Sequence, residues 1–192
     1  MNVVVLTGPE SVGKSAMALR LQQAYGGLRC AEYVREFIDT HQRETSLDDI
    51  PTIARGQLAR EDEARASDPE WLWLDTHLLS NILWSNLLFG SSPSWLDVAL
   101  SERRYDLHLL LSPEGVEWIA DGQRCQPDVA DRRAFFEACL HWLQENEQPF
   151  VVLTGDWATR EAQAHAAIAR VFGATARLGP CPGDRRAGIR PR

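Results

Sequence analysis

Residues 8–15 read Gly-Pro-Glu-Ser-Val-Gly-Lys-Ser, which meets the spacing G-x-x-x-x-G-K-[ST]. Residue types in this pattern suit one task, the holding of a polyphosphate. Gly8 and Gly13 let the backbone curl until its N–H groups converge on phosphate oxygens. A helix opening at this point adds the positive end of its dipole. The Lys14 ammonium can reach the β- and γ-phosphates, and the Ser15 hydroxyl can ligate Mg²⁺. Glu10, Ser11, Val12 and Ala16 complete the cradle. The 20 Lys and Arg residues comprise 19 arginines and Lys14 alone, so lysine occurs only where this motif demands it.

Other side chains could work beside the cradle. Glu32 lies at the end of a predicted strand, and Asp75 ends the apolar run Trp71–Leu74. A carboxylate within hydrogen-bond reach can accept the proton of an attacking alcohol. One at a strand end can also hold Mg²⁺ or a ribose hydroxyl, or cap the next helix. Arg35 is placed to clamp a phosphate, to orient Glu32 or to form a structural ion pair. The segment 113–127, punctuated by Gly115, Gly122 and Pro127, reads as a lid carrying Asp121 and Arg124. A permanently charged, planar guanidinium at Arg124 suits neutralisation of a transferring phosphoryl group. Arg132 and Arg133, at a helix start, read as solvated. Of the seven tryptophans, Trp84 and Trp118 are the candidates for stacking on a base and the others read as core. His77 reads as a polar neighbour of the site.

These groups need elements to position them. Residues 2–7 form a β-branched run that predicts a buried parallel strand feeding Gly8. Met17, Leu21 and Ala24 then mark one helical face, stopped by Gly26-Gly27. Strands are predicted at 28–33, 71–75, 105–111 and 150–153. Helices are predicted at 35–41, 51–66, 76–89, 94–103, 129–146 and 157–172. Strands alternating with helices predict a three-layer α/β P-loop fold, with a five-stranded parallel sheet, helices on both faces and ligands at the carboxyl ends of the strands. One domain is expected over residues 1–173, and the Gly/Pro/Arg-rich stretch 174–192 predicts a flexible tail.

Composition sets bounds. The chain has 192 residues, 44% of them apolar, enough to bury a core. Its net charge of -7 does not suit general duplex binding, where phosphate contacts dominate affinity. No apolar run is long enough to span a bilayer. The first strand begins at residue 2 or 3, leaving no room for a signal peptide. Cys30, Cys125, Cys139 and Cys181 form no C-x-x-C pair and read as free thiols. A cytoplasmic protein with neither nucleic acid nor membrane as partner is expected.

Three classes of P-loop protein compete. A GTPase needs an N-K-x-D segment, yet the fifth strand runs into Thr154-Gly155-Asp156. A motor or transporter ATPase normally carries Asp-Glu after the third strand, whereas Asp75 is followed by Thr76. A small-molecule kinase needs a base, a magnesium-holding network and a phosphate clamp, and candidates exist for all three.

The ordered blocks Gly8-Pro9-Glu10-Ser11, Cys30-Ala31-Glu32-Tyr33-Val34-Arg35-Glu36, Ile53-Ala54-Arg55-Gly56-Gln57, Leu74-Asp75-Thr76, Tyr105-Asp106-Leu107 and Asp121-Gly122-Gln123-Arg124 resemble the ribosylnicotinamide kinase domain of NadR-type proteins. The resemblance covers roughly residues 2–172. It implies ATP-dependent phosphorylation of the ribose 5′-hydroxyl of nicotinamide riboside, with Mg²⁺ at Ser15 and Asp75. It places the acceptor against Glu32, Tyr33, Arg35, Asp75, Trp84 and Asp121. Lys14, Glu32, Asp75 and Arg124 would carry the catalysis, with either carboxylate as the base. The chain departs from the pattern at Ala31, where some members have an aromatic residue, and at His77, often a second acid. Cys125-Gln126-Pro127 stands in place of a small-residue run. A kinase of another nucleoside, or a regulatory ATP-binding module, is the alternative.

Overall fold

The computed structural model describes residues 1–118 and 128–174. The predicted tail from 175 onward, the part of the lid at 119–127, and with them Asp121, Arg124, Cys125 and Cys181, lie outside the described residues.

Five strands, β1 (Asn2–Thr7), β2 (Leu28–Cys30), β3 (Trp71–Asp75), β4 (Leu107–Leu111) and β5 (Phe150–Leu153), pair in parallel in the order β2-β3-β1-β4-β5. The helices are α1 (Lys14–Tyr25), α2 (Tyr33–His41), α3 (Ile50–Ala66), α4 (Leu78–Phe89), α5 (Trp95–Ser101), α6 (Val129–Glu145) and α7 (Trp157–Phe172). A 3₁₀ turn at Leu47–Asp49 leads into α3.

The two-residue period of the strands creates the layers. Val4, Leu6, Trp71, Trp73 and Leu109 face α1 and α7, packing on Met17, Leu21, Ala164 and Ile168. Val3, Val5, Leu72 and Leu74 face the opposite way, onto Ile50 and Ala54 of α3, Leu78 and Ile82 of α4, and Leu96 of α5. Leu110 packs on Phe135, Cys139 and Leu143 of α6. This is the three-layer α/β P-loop fold expected from the sequence. The register pairs Leu6 with Asp75, so Asp75 stands beside the strand end that feeds the phosphate loop.

At β2, α2, β4 and α4 the element bounds differ from the sequence expectation for identifiable physical reasons. The strand β2 stops at Cys30 and α2 opens at Tyr33, because Gln57 Oε1 of α3 accepts the Tyr33 N–H at 2.8 Å. The strand β4 starts at Leu107, because Tyr105 and Asp106 are occupied elsewhere: Asp106 accepts the Val3 N–H at 2.8 Å, and the Tyr105 hydroxyl donates to Glu61 at 3.3 Å. Thr76 has φ 70, which no helix tolerates, so α4 begins at Leu78.

His77 departs from the expectation too. It is fully buried, facing away from the phosphate loop. Its ring meets Tyr105 edge-on at 4.7 Å between centroids, and its Nε2 lies 3.4 Å from Nε2 of His108. Burial holds the His77 pKa well below the ordinary histidine range and that of His108 at about 4. In the unfolded chain an imidazole takes its proton near 6.5. The unfolded state therefore binds more protons than the folded one between these two values. Stability is complete above the unfolded pKa and falls as pH drops toward the folded one. The shift of His108 alone corresponds to roughly 3 kcal/mol. Denaturant midpoints followed from pH 7.5 down to pH 4 (about that range) should fall accordingly, and His108→Gln should flatten the slope. An unchanged slope in the variant would assign the acid sensitivity to other groups.

Candidate functional site

The turn after β1 can be built only with glycine at two points. Gly8 has φ 132, and a Cβ there would sit 2.6 Å from the Leu111 carbonyl oxygen. Gly13 has φ 90, and a Cβ there would lie 2.9 Å from the Trp157 ring of α7. Lys14 Nζ donates to the carbonyls of Gly8 at 2.9 Å and Pro9 at 2.7 Å, closing the loop on itself. The helix α1 opens at Lys14 with no side-chain cap and no acidic residue in its first turn. Its leading N–H groups therefore face the loop, the arrangement that binds anions.

Beside this loop lies a cavity of about 300 Å³. Residues Glu10 to Ala16 form one wall, and Glu32, Val34, Arg35 and Ile38 another. Thr45, Ile50, Ile53, Ser80, Asn81, Trp84 and Leu88 complete it. The predicted cradle and the predicted acceptor carboxylate thus share one space.

Glu32 is the N-cap residue of α2, with its side chain only 17% exposed. Arg35 Nε lies 3.4 Å from Glu32 Oε2. Burial raises the Glu32 pKa above the usual range; Lys14 opposes the rise, Asp75 adds to it and Arg35 opposes it again. These charges act on one another within a single site.

Asp75 is buried, and its Oδ1 has no hydrogen-bond partner among the described residues. It does not cap the following helix, since His77 is the N-cap residue of α4. The capping alternative for Asp75 therefore falls away. Thr76 beside it is also buried, with a left-handed backbone and a hydroxyl unpartnered among the described residues. A β-branched residue in that region is strained, a condition that clusters at working sites. Its sequence signal was only its place after Asp75.

Trp84 lines the cavity, its ring stacked on Phe135 of α6 at 4.2 Å between centroids and 22° between planes. Trp118, the other stacking candidate, is half-buried and not part of the cavity wall. Tyr33, expected at the acceptor, is not part of it either. Its ring fills the space over Gly56 and lies under the Arg60 guanidinium at 4.8 Å. Gly56 and Gln57 thus seat α2 on α3.

Two arginines gave no sign of their roles in the sequence. Arg132, expected to be solvated, is 2% exposed and donates toward the Val116 carbonyl at 3.4 Å. Arg160, equally buried, donates to the carbonyls of Gly155 at 2.8 Å and Glu114 at 3.1 Å. They tie together the turns that follow β4 and β5, on the flank of the phosphate loop. Arg133 is exposed, as expected, and pairs with Glu114 at 2.6 Å.

Known proteins share this arrangement of strands and loop. Residues 3–160 match the family described as AAA domain. The chain belongs to the AAA domain family. Over 155 residues this AAA domain protein is 26% identical to the trifunctional NAD biosynthesis/regulator protein NadR of Salmonella typhimurium, covering 79% of this chain and 38% of that protein. The NadR of Escherichia coli gives the same identity and coverage. The chain therefore spans about two fifths of the length of these curated relatives, 38%. The crystal structure of NadR protein in complex with NR superposes with a TM-score of 0.78 at 24% identity, covering 93% of this chain and 54% of that one. Deoxyadenosine kinase from M. mycoides superposes with a TM-score of 0.64 at 12% identity, covering 88% of this chain and 99% of that one. The AAA domain seen here thus has the three-layer P-loop fold of both.

Proposed function

We propose that this chain transfers the terminal phosphoryl group of ATP to the ribose 5′-hydroxyl of nicotinamide riboside, giving nicotinamide mononucleotide. The observation that carries the reading is the continuity of the phosphate loop with a cavity that holds the largely buried carboxylate of Glu32 and one aromatic plate, Trp84. Curated relatives of this chain are NadR proteins, and a NadR protein solved in complex with NR shares its fold.

Each residue has a task in this reading. The loop amides and Lys14 hold the phosphates of ATP and meet the charge that spreads over them during transfer. Glu32 accepts the proton of the attacking hydroxyl, and Arg35 keeps its carboxylate aligned. Ser15 and Asp75 are the residues to hold Mg²⁺; the orphaned, buried Oδ1 of Asp75 fits a hard cation that takes oxygen ligands. Bound Mg²⁺ supplies charge neutralisation between the phosphates. Trp84, braced from behind by Phe135, is the surface on which the pyridine ring lies. Asp121 and Arg124 keep the roles that the resemblance gives them, at the acceptor and at the transferring group. The working unit is residues 1–173 with 174–192 as a tail, and the buried thiols of Cys30 and Cys139 suit a cytoplasmic enzyme.

The test is coupled ADP release with nicotinamide riboside, other nucleosides and no acceptor. Robust turnover with nicotinamide riboside supports the reading. A clear preference for a different nucleoside overturns the substrate, and acceptor-independent hydrolysis overturns the kinase. Trp84→Ala should raise the acceptor KM by about tenfold, the size of one lost stacking contact, and leave the ATP KM unchanged. An unchanged acceptor KM would show that the ring is structural.

A further inference from the structure

Two polar side chains of one helix face the acceptor cavity and are used neither by the P-loop chemistry nor by the aromatic plate. They are Ser80 and Asn81, in the first turn of α4. Ser80 is 5% exposed and Asn81 half-buried. Neither side chain has a hydrogen-bond partner among the described residues. Their surroundings on the cavity wall include Ile50 and Ile53, whose side chains offer nothing to bond with. Facing the cavity without a protein partner, both groups are placed to bond a ligand or water there.

Their level along α4 narrows the choice of ligand group. Asn81, Trp84 and Leu88 follow one another at spacings of three and four, so they form one stripe facing the cavity. At 1.5 Å of rise per residue, Trp84 stands about 4.5 Å beyond Asn81, and Leu88 about 10 Å beyond it. The helix starts three residues after Asp75, at the phosphate end, and runs away from it. Asn81 therefore sits between the reacting end and the aromatic plate. In an acceptor with its 5′-hydroxyl at Glu32 and its base on Trp84, that level is the sugar ring.

We propose that Asn81, with Ser80 beside it, reads the ribose hydroxyls, so that this site prefers ribonucleosides to 2′-deoxyribonucleosides. The inference rests on the kinase reading above and adds the sugar specificity of the same site. A carboxamide both donates and accepts, and a serine hydroxyl does too, which matches the two adjacent hydroxyls of a ribose. A site built to bond a hydroxyl discriminates against the analogue lacking it, because its own polar groups are then left unpaired.

The experiment compares kcat/KM for nicotinamide riboside, adenosine and cytidine with that for their 2′-deoxy counterparts. It uses the full chain as wild type, Asn81→Ala, Asn81→Leu and Asn81→Asp, each with its melting temperature recorded. The wild type is expected to favour the ribose form of its best acceptor by about tenfold or more. Asn81→Ala, and the volume-conserving Asn81→Leu if alanine fails to fold, should bring the ratio close to one by losing activity on the ribose form alone. Asn81→Asp, which still accepts from hydroxyls, should keep a preference. An equal loss on both sugars, or an unchanged ratio, overturns the assignment. A variant that instead alters discrimination between bases, with the sugar ratio intact, moves Asn81 to the base. Failure of the wild type to phosphorylate any nucleoside overturns the kinase reading itself, a result distinct from any change of ratio.

Discussion

Replacing Lys14 with alanine should lower turnover by about a thousandfold or more while leaving a folded protein. The scale follows from the loss of one preorganised donor aimed at developing charge. The ammonium also rests on the carbonyls of Gly8 and Pro9, so its loss loosens the loop as well as discharging it. Both bonds are partly buried, and water can replace them at about 1 kcal/mol each. ATP affinity should therefore fall along with kcat, whereas the melting temperature should shift by only a few degrees. Coupled ADP release, a nucleotide titration and a thermal melt separate the three quantities. Normal turnover in this variant would remove the P-loop as the seat of the chemistry.

Glu32→Gln should cost about a hundredfold or more in kcat with little change in KM, the size expected for a general base. The pH profile supplies a second readout. The base works only when ionised, so the rate falls on the acid side as Glu32 takes up its proton. Burial raises its pKa, so this acid limb should lie above the value near 4.3 of an ordinary glutamate. In the glutamine variant the limb should disappear from the residual activity. An intact limb with nearly full activity would transfer the role to Asp75, the other candidate base.

Much of this architecture is legible in the chain, because strong punctuation surrounds strongly patterned segments. Asp68-Pro69 before Trp71 and the motif after Thr7 leave little freedom to β3 and α1, and both form where the pattern places them. The phosphate loop is legible for the same reason: only glycine satisfies the φ of residues 8 and 13 and the contacts there. Partners distant in sequence are not legible. Nothing near Tyr33 announces that Gln57 will start its helix, or that its ring will cover Gly56 instead of the cavity. His77 sits next to two residues of the site, yet its ring turns into the layer between β4 and α6. Arg132 and Arg160 resemble solvated helix residues until the turns they clamp are in place. Ser80 and Asn81 lie in an apolar helix, and only the cavity reveals that they face a common space with the phosphate loop.

The closure of Lys14 onto the loop has a practical consequence for covalent labelling. The chain carries one ε-amine, and it lies inside the phosphate cradle. An amine-directed acylating reagent thus has a single lysine adduct to form, and that adduct blocks the cradle. Its yield, read as one mass increment on the peptide containing Lys14, becomes a direct measure of how far the cradle is occupied by a protecting anion. Coupling the protein to a surface through its lysine would, by the same chemistry, attach it by a group of the phosphate cradle itself.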